Sequence, residues 1–243
     1  MVCAHGVAAQ GKVPVCGDAA GFPPYTYEDP KAPGKVIGFS VDAVTAILKV
    51  SGQTPDITLL PWLRCLKGVE IGTTLWMVLD ATYSEERATK YHISEPFYVI
   101  HSALYYDTKK FPTPPKLHTA EDLSKYTYCG IHGYNYSMYK IPAARIATAK
   151  TETARFSMLR AGHCDFVLAD VEPLLAFVKN GEVDLNGLDK IAVPEFKNKS
   201  YVVLITKGNS NGERVLKDFN EGLKKVKADR TLKALRATHG LLQ

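Results

Sequence analysis

The sequence holds no run approaching the ~18–20 consecutive apolar residues that a membrane-spanning helix needs, so a transmembrane helix within it is excluded. It has no CxxC pair and its histidines are scattered, which argues against a zinc site; neither metal nor cofactor is expected. Tandem repeats and low-complexity segments are absent too. Basic residues outnumber acidic ones by only 30 to 25, and their densest cluster (Lys224, Lys225, Lys227, Arg230, Lys233, Arg236) lies in one C-terminal helical stretch. No aromatic residues interleave with that cluster. It reads as a solvated helix face, and nucleic acid is not an expected partner. The opening MVCAHGVAAQ lacks the basic start and long apolar middle of a signal peptide. If the protein is exported, the expectation is a mature chain whose leader has given way to an initiator Met.

Cysteine is sparse: Cys3, Cys16, Cys65, Cys129 and Cys164. The odd number leaves at least one thiol free or paired between chains. Two readings stand open, buried reduced thiols or two disulfides. Cys129 and Cys164 each begin a strand-like run, and parallel neighbours start at one edge, so a bridge between them is geometrically reasonable. Cys16 with Cys65 is a weaker candidate pair, and Cys3 is then left over.

What is present is ordinary globular material: 243 residues, 46% hydrophobic and 23% charged, enough for one large domain or two small ones. Short apolar strand-like runs alternate with helical patterns, the signature of an α/β fold with mostly parallel strands. The run 13–18 (VPVCGD) ends in a turn. Ser40 can cap a helix over 41–50 that keeps Val41, Val44, Ile47 and Leu48 on one face, with Gly52 as its stop. Residues 56–60 read as a strand, and Pro61 and Trp62 open a helix through Ile71. The run 76–82 (WMVLDAT) is continuously apolar at its start and expected to be buried on both faces. Ser84 then caps a short helix.

A second series resembles the first. Thr119 caps a helix over 120–125, 127–131 (TYCGI) is a strand before the turn HGYNYS, a helix spans 151–161, and 164–170 (CDFVLAD) is a further strand. The stretches 101–108 and 199–206 read as strands able to connect the two groups, and two helices follow near 211–228 and 229–239.

Four segments together resemble the family 3 extracellular solute-binding proteins, periplasmic receptors that feed amino acids to ABC transporters. They are GFPPYTY (21–27), GFSVDAV (38–44), DATYSEERATKYHISEPFY (80–98) and AGHCDFVLADVEP (161–173). They occur in the family's order and spacing across nearly the whole chain. The resemblance implies a two-lobed periplasmic-binding-protein (type II) α/β fold, residues 1–103 with 205–243 forming one lobe and 104–204 an inserted second. It also implies a monomer in the periplasm that closes by hinge bending on a small amino-acid-like zwitterion and meets the membrane permease of an ABC transporter. By position, Arg87 matches the residue that grips the ligand's α-carboxylate, a task for which a planar guanidinium can make two parallel hydrogen bonds. Thr82 and Asn135 match hydroxyl or amide groups on the same carboxylate. Asp170 matches the acceptor of the α-ammonium, and Phe22 and Trp62 match aromatics flanking the ligand's side chain.

Blander roles compete. Arg87 can sit on a helix surface, Asp170 can cap the helix from Val171, Trp62 and Phe22 can fill a core, and Asn135 and His132 can be plain turn residues. The chain also departs from the family pattern at Leu75–Trp76, at Asp80, and at Tyr134 and Tyr136. Strand alternation puts Asp80 on the side of Thr82. There it either holds Arg87 or Arg64 or meets a second positive charge on the ligand. Two other functions remain in view. One is an enzyme on the same scaffold, such as a dehydratase of cyclohexadienyl acids with Glu172, Asp80 or His132 as general acid. The other is a ligand-sensing domain.

Overall fold

The computed structural model describes residues 11–196 and 198–241. Cys3 and the opening segment lie outside the described residues. The chain begins with β1 (Lys12–Asp18), β2 (Tyr27–Glu28), β3 (Val36–Ile37), α1 (Phe39–Lys49), β4 (Thr54–Leu60) and α2 (Trp62–Ile71). It continues with β5 (Met77–Ala81), α3 (Glu85–Lys90), β6 (Tyr91–Ile93), β7 (Tyr98–Asp107), α4 (Ala120–Leu123), β8 (Tyr128–Ile131) and β9 (Ile146–Ala149). Then come α5 (Glu152–Arg160), β10 (Phe166–Asp170), α6 (Val171–Lys179), β11 (Leu188–Ala192), β12 (Asn198–Thr206), α7 (Gly212–Ala228) and α8 (Thr231–Thr238).

Ten strands form one mixed, curled sheet in the order β4-β1-β5-β12-β7-β10-β8-β9, with β6 added on β12 and β11 on β7. The parallel pairing expected from sequence holds at both ends, β4–β1–β5 and β10–β8–β9. The two strands near the middle, β7 and β12, run antiparallel to each of their partners. Their mutual register is Tyr98↔Tyr201 through His101↔Asn198, so the chain passes between the halves of the sheet on a two-stranded ribbon.

Each half is covered on both faces, and the period of two along a strand explains how. On β5, Met77 and Leu79 face a core shared with α1 and α7, and Val78 faces one shared with α2. The alternation breaks at Asp80, where φ is 54° and the ladder with β12 shifts register, so Ala81 joins Val78. On β10, Val167 and Ala169 meet Phe156, Leu174 and Phe177, whereas Phe166 and Leu168 meet Leu104, Tyr106 and Tyr128. The helix α7 buries Val215, Phe219, Leu223 and Val226, a stripe of helical period. Each such side chain contributes about 1.5–3 kcal/mol on leaving water.

The helix α1 starts earlier than its sequence pattern indicates. Its N-cap is Gly38, and Ser40 lies inside it, buried. Gly38 has φ of 126°, and a Cβ there would sit 2.2 Å from the Tyr25 carbonyl oxygen. Only glycine permits that entry, so a residue read as a cap is freed to send its hydroxyl elsewhere. Both cysteine pairs are disulfides: Cys16–Cys65 ties β1 to α2, and Cys129–Cys164 ties β8 to the start of the β10 segment, with Cα separations of 5.6 and 5.7 Å. The strands β9 and β11, unread from sequence, complete the second half.

Candidate functional site

The parallel neighbours β1 and β5, in register at Val15↔Met77 and Cys16↔Val78, both end at one edge of the sheet. Open α/β sheets bind ligands beyond the carboxyl ends of their parallel strands. Asp18 ends β1, Asp80 lies near the end of β5 and Thr82 just beyond it, and all three line one cavity. Phe22, Trp62 and Arg87 complete the wall from the first half, and Tyr134, Asn135, Lys199 and Tyr201 approach from the β8 turn and β12. Six of the seven residues singled out in the sequence thus border one cavity; Asp170 does not.

Arg87 stands in the short α3, whose N-cap Ser84 accepts the Arg87 backbone N–H at 3.2 Å. Its side chain turns inward and is only 8% exposed. Nη1 donates to the Thr82 carbonyl at 2.9 Å and to Thr82 Oγ1 at 3.2 Å, and Nη2 to the Gly133 carbonyl at 3.4 Å. The guanidinium carbon lies 5.7 Å from the Trp62 ring centre. The adjacent Glu86 pairs with Lys90 instead, at 2.7 Å. Among the described residues no carboxylate forms an ion pair with Arg87, and burial lowers its pKa from the usual arginine value.

Trp62 and Asn135 join the two sides. Trp62 Nε1 donates to the Gly133 carbonyl at 2.9 Å. Asn135 Nδ2 donates to Thr82 Oγ1 at 3.1 Å and to the Tyr83 carbonyl at 2.7 Å, while Asn135 Oδ1 accepts from Ser137. Gly133 makes this approach possible, since a Cβ there would lie 2.5 Å from Leu63 Cδ2 and 3.0 Å from Trp62 Cδ1. Phe22 packs against Tyr25 and Tyr201, with ring centres 5.5 Å apart in each case.

Asp80 has neither Arg87 nor Arg64 as partner. Its Oδ1 accepts from Ser40 Oγ at 2.5 Å and from Tyr98 OH at 2.6 Å, and its backbone has φ of 54°. Asp18 accepts from Ala20 N–H at 3.1 Å and from Tyr134 OH at 3.4 Å. Loss of hydration pushes the pKa of both carboxyls up, and the hydrogen bonds to them only partly offset it. Among the described residues neither is in an ion pair.

Asp170 occupies the N-cap position of α6, but its side chain makes no capping bond. It is held by Lys199, by the Tyr201 hydroxyl and by Ser102. His132 is exposed and lies 3.4 Å from Thr148 Oγ1, as a turn residue would. Sequence reasoning did not single out Asp18, Lys199 or Tyr201. The signal available for Asp18 was a lone acid at the end of a buried strand. For Lys199 and Tyr201 it was alternation along β12, which turns 199 and 201 to one side. Among the described residues no group of three or more His, Cys, Asp or Glu side chains is placed to hold a metal ion, and no helix is long and apolar enough to cross a membrane.

The chain is similar to a probable histidine-binding protein of Neisseria gonorrhoeae, 25% identical over 226 residues that cover 90% of this chain and 80% of the relative. It is 26% identical over 220 residues to an L-cystine-binding protein of Escherichia coli, covering 88% and 77% of the two chains. An ancestral arginine-binding protein bound to glutamine shares the fold, with a TM-score of 0.74, 22% identity, and coverage of 97% of this chain and all of that one (100%). The model of the bacterial extracellular solute-binding proteins, family 3, matches residues 15–241. Since that match runs from the first core strand past the last helix, the chain belongs to the bacterial extracellular solute-binding proteins of family 3.

Proposed function

We propose that this protein is a periplasmic receptor that binds a small amino-acid-like zwitterion and presents it, without turnover, to the membrane permease of an ABC transporter. The observation that carries the reading is an imbalance of charge. One buried guanidinium, Arg87, has no carboxylate partner, and two cavity-lining carboxylates, Asp18 and Asp80, have no cation partner among the described residues. A buried charge without a mate is costly, and a zwitterion supplies both mates at once. In this reading the ligand's carboxylate lies between Arg87, Thr82 and Asn135, and Phe22 and Trp62 flank its side chain. Histidine and cystine, the solutes named for the two relatives, fall in the same class.

The same reading makes the protein a monomer of two lobes, residues 1–103 with 205–243 and residues 104–204, joined by the β7–β12 ribbon and closing over the solute. A thermal-shift screen of the amino acids tests it. A ligand at 100 times its dissociation constant stabilises the native state by about 2.7 kcal/mol, and Arg87→Ala is expected to abolish the shift. If no amino acid stabilises the parent protein, or if prephenate or arogenate is turned over, the reading fails.

A further inference from the structure

The carboxylate matched by resemblance to a ligand's ammonium already holds one. Lys199 and Asp170 are 5% and 7% exposed, and Lys199 Nζ lies 2.9 Å from Asp170 Oδ2 and 3.2 Å from Oδ1. Tyr201 donates its hydroxyl to Oδ2, and Ser102 donates to Oδ1 at 3.4 Å. The chain itself therefore satisfies Asp170 from several directions. Pulling Lys199 away would leave two desolvated charges unmatched. It is Lys199 and Tyr201, not Asp170, that border the cavity.

Asp80 presents the opposite case. The Ser40 and Tyr98 hydroxyls both reach the same oxygen, Oδ1, and no cation pairs with Asp80 among the described residues. It stands two residues before Thr82, whose Oγ1 receives Arg87 Nη1 at 3.2 Å. In an amino acid the ammonium is carried on the carbon next to the carboxylate, so its seat must adjoin the carboxylate seat. Asp80 meets that requirement, and the family pattern does not supply an acid there. Asp18 is committed differently, with one oxygen on a backbone N–H and the other on Tyr134.

We propose that Lys199 is a specificity-determining residue: its side-chain ammonium fills the Asp170 seat, and the ammonium of the bound zwitterion is received by Asp80 on the other half of the sheet. This rests on reading the cavity as a zwitterion site. The charge layout follows from it. The Lys199–Asp170 pair is neutral toward the ligand, Arg87 and Asp80 take the two charges of the amino-acid head, and Asp18 is left for a donor on the side chain.

Two arms test the proposal. The first uses no amino acid. Lys199→Ala is unfolded thermally with and without ethylammonium chloride, which can replace the lost ammonium, and tetramethylammonium chloride serves as the salt control. Ethylammonium is expected to raise the melting temperature of Lys199→Ala while leaving the parent and Lys199→Ala/Asp170→Asn unmoved; no effect on Lys199→Ala overturns the filled seat. The second arm titrates L-histidine, L-arginine and L-glutamine into the parent, Asp80→Asn and Lys199→Met/Asp170→Asn. For whichever of them binds the parent, Asp80→Asn is expected to weaken binding about fiftyfold or more, and the double variant, which removes the Asp170 charge, to weaken it at least about tenfold less than Asp80→Asn does. The reverse pattern makes Asp170 the ammonium seat and overturns the proposal. If neither these three nor any other amino acid binds the parent, the zwitterion reading falls and Asp80's role falls with it, while the first arm still decides whether Lys199 fills its seat. Should Lys199→Ala not fold, the second arm still decides, because the double variant leaves no unmatched charge.

Discussion

Arg87 carries its charge into the protein with only carbonyl, hydroxyl and ring partners, all of which would tolerate a neutral replacement. Arg87→Ala is therefore expected to leave ligand-free stability little changed while weakening solute binding by about 2–5 kcal/mol, the usual cost of stripping a buried charge of its mate. Calorimetric titration alongside thermal unfolding checks both halves, and undiminished affinity would remove Arg87 from the carboxylate seat. Asp80 offers a test in pH. Burial holds its folded pKa above the unfolded value of 3.8. The group then contributes stability that is fully present below about pH 3.8 and is lost as pH rises through the folded value. Above that folded value the ionised, desolvated carboxyl burdens the empty protein. Asp80→Asn keeps an acceptor for Ser40 and Tyr98, so it should melt higher than the parent at pH 7, with the gap closing in acid. A variant that melts lower at pH 7 would show that the charge itself stabilises the fold. Arg87 and Thr82 were legible because a loop motif carries them at fixed spacing. The Lys199–Asp170 pair was not, because it depends on how β12 lies against β10 across an intervening strand, and no local pattern encodes that.

The helices and buried strands were readable where the apolar period was strong, as in α1, α7, β5 and β10, and where a cap announced the start, as Ser84 and Thr119 do. The strands β9 and β11 were missed because their residues are half exposed and lack clean alternation. Gly38 displaced Ser40 as the cap of α1 through a backbone approach that sequence does not display. The disulfides connect elements with different jobs. Cys16–Cys65 fastens the strand ending in Asp18 to the helix that opens with Trp62, whereas Cys129–Cys164 lies within the second half, away from the cavity wall. With sequence separations of 49 and 35 residues, each is expected to contribute about 4 kcal/mol in the chain-entropy account. Replacing either pair by serine should lower the urea midpoint, and only Cys16→Ser/Cys65→Ser should also weaken solute binding. Equal effects on binding would mean that the first bridge has no special hold on the site. Thiol titration of the denatured, unreduced chain should find about one free cysteine.

Among the described residues the two halves of the sheet meet along the ribbon of β7 and β12 and around Gly133, Tyr134 and Asn135. If the cavity opens by bending at that ribbon, saturating ligand should reduce the radius of gyration measured by X-ray scattering. Identical curves with and without ligand would mean that the empty protein is already closed. The ribbon has a further consequence, in time instead of space. The core of the first half joins Val15, Met77 and Leu79 to Val203 and Ile205 of β12 and to Val215, Phe219 and Leu223 of α7. Ala81 finds its ladder partner Val202 more than a hundred residues further along the chain. As the chain emerges from a ribosome, β5 therefore has no neighbour on that side, and the core it shares with α1 lacks its α7 cover, until almost the entire polypeptide has been made. Loop closure of that length is slow. The first-made half is thus the last to be sealed, since its final strand and its long covering helix are among the last segments synthesised.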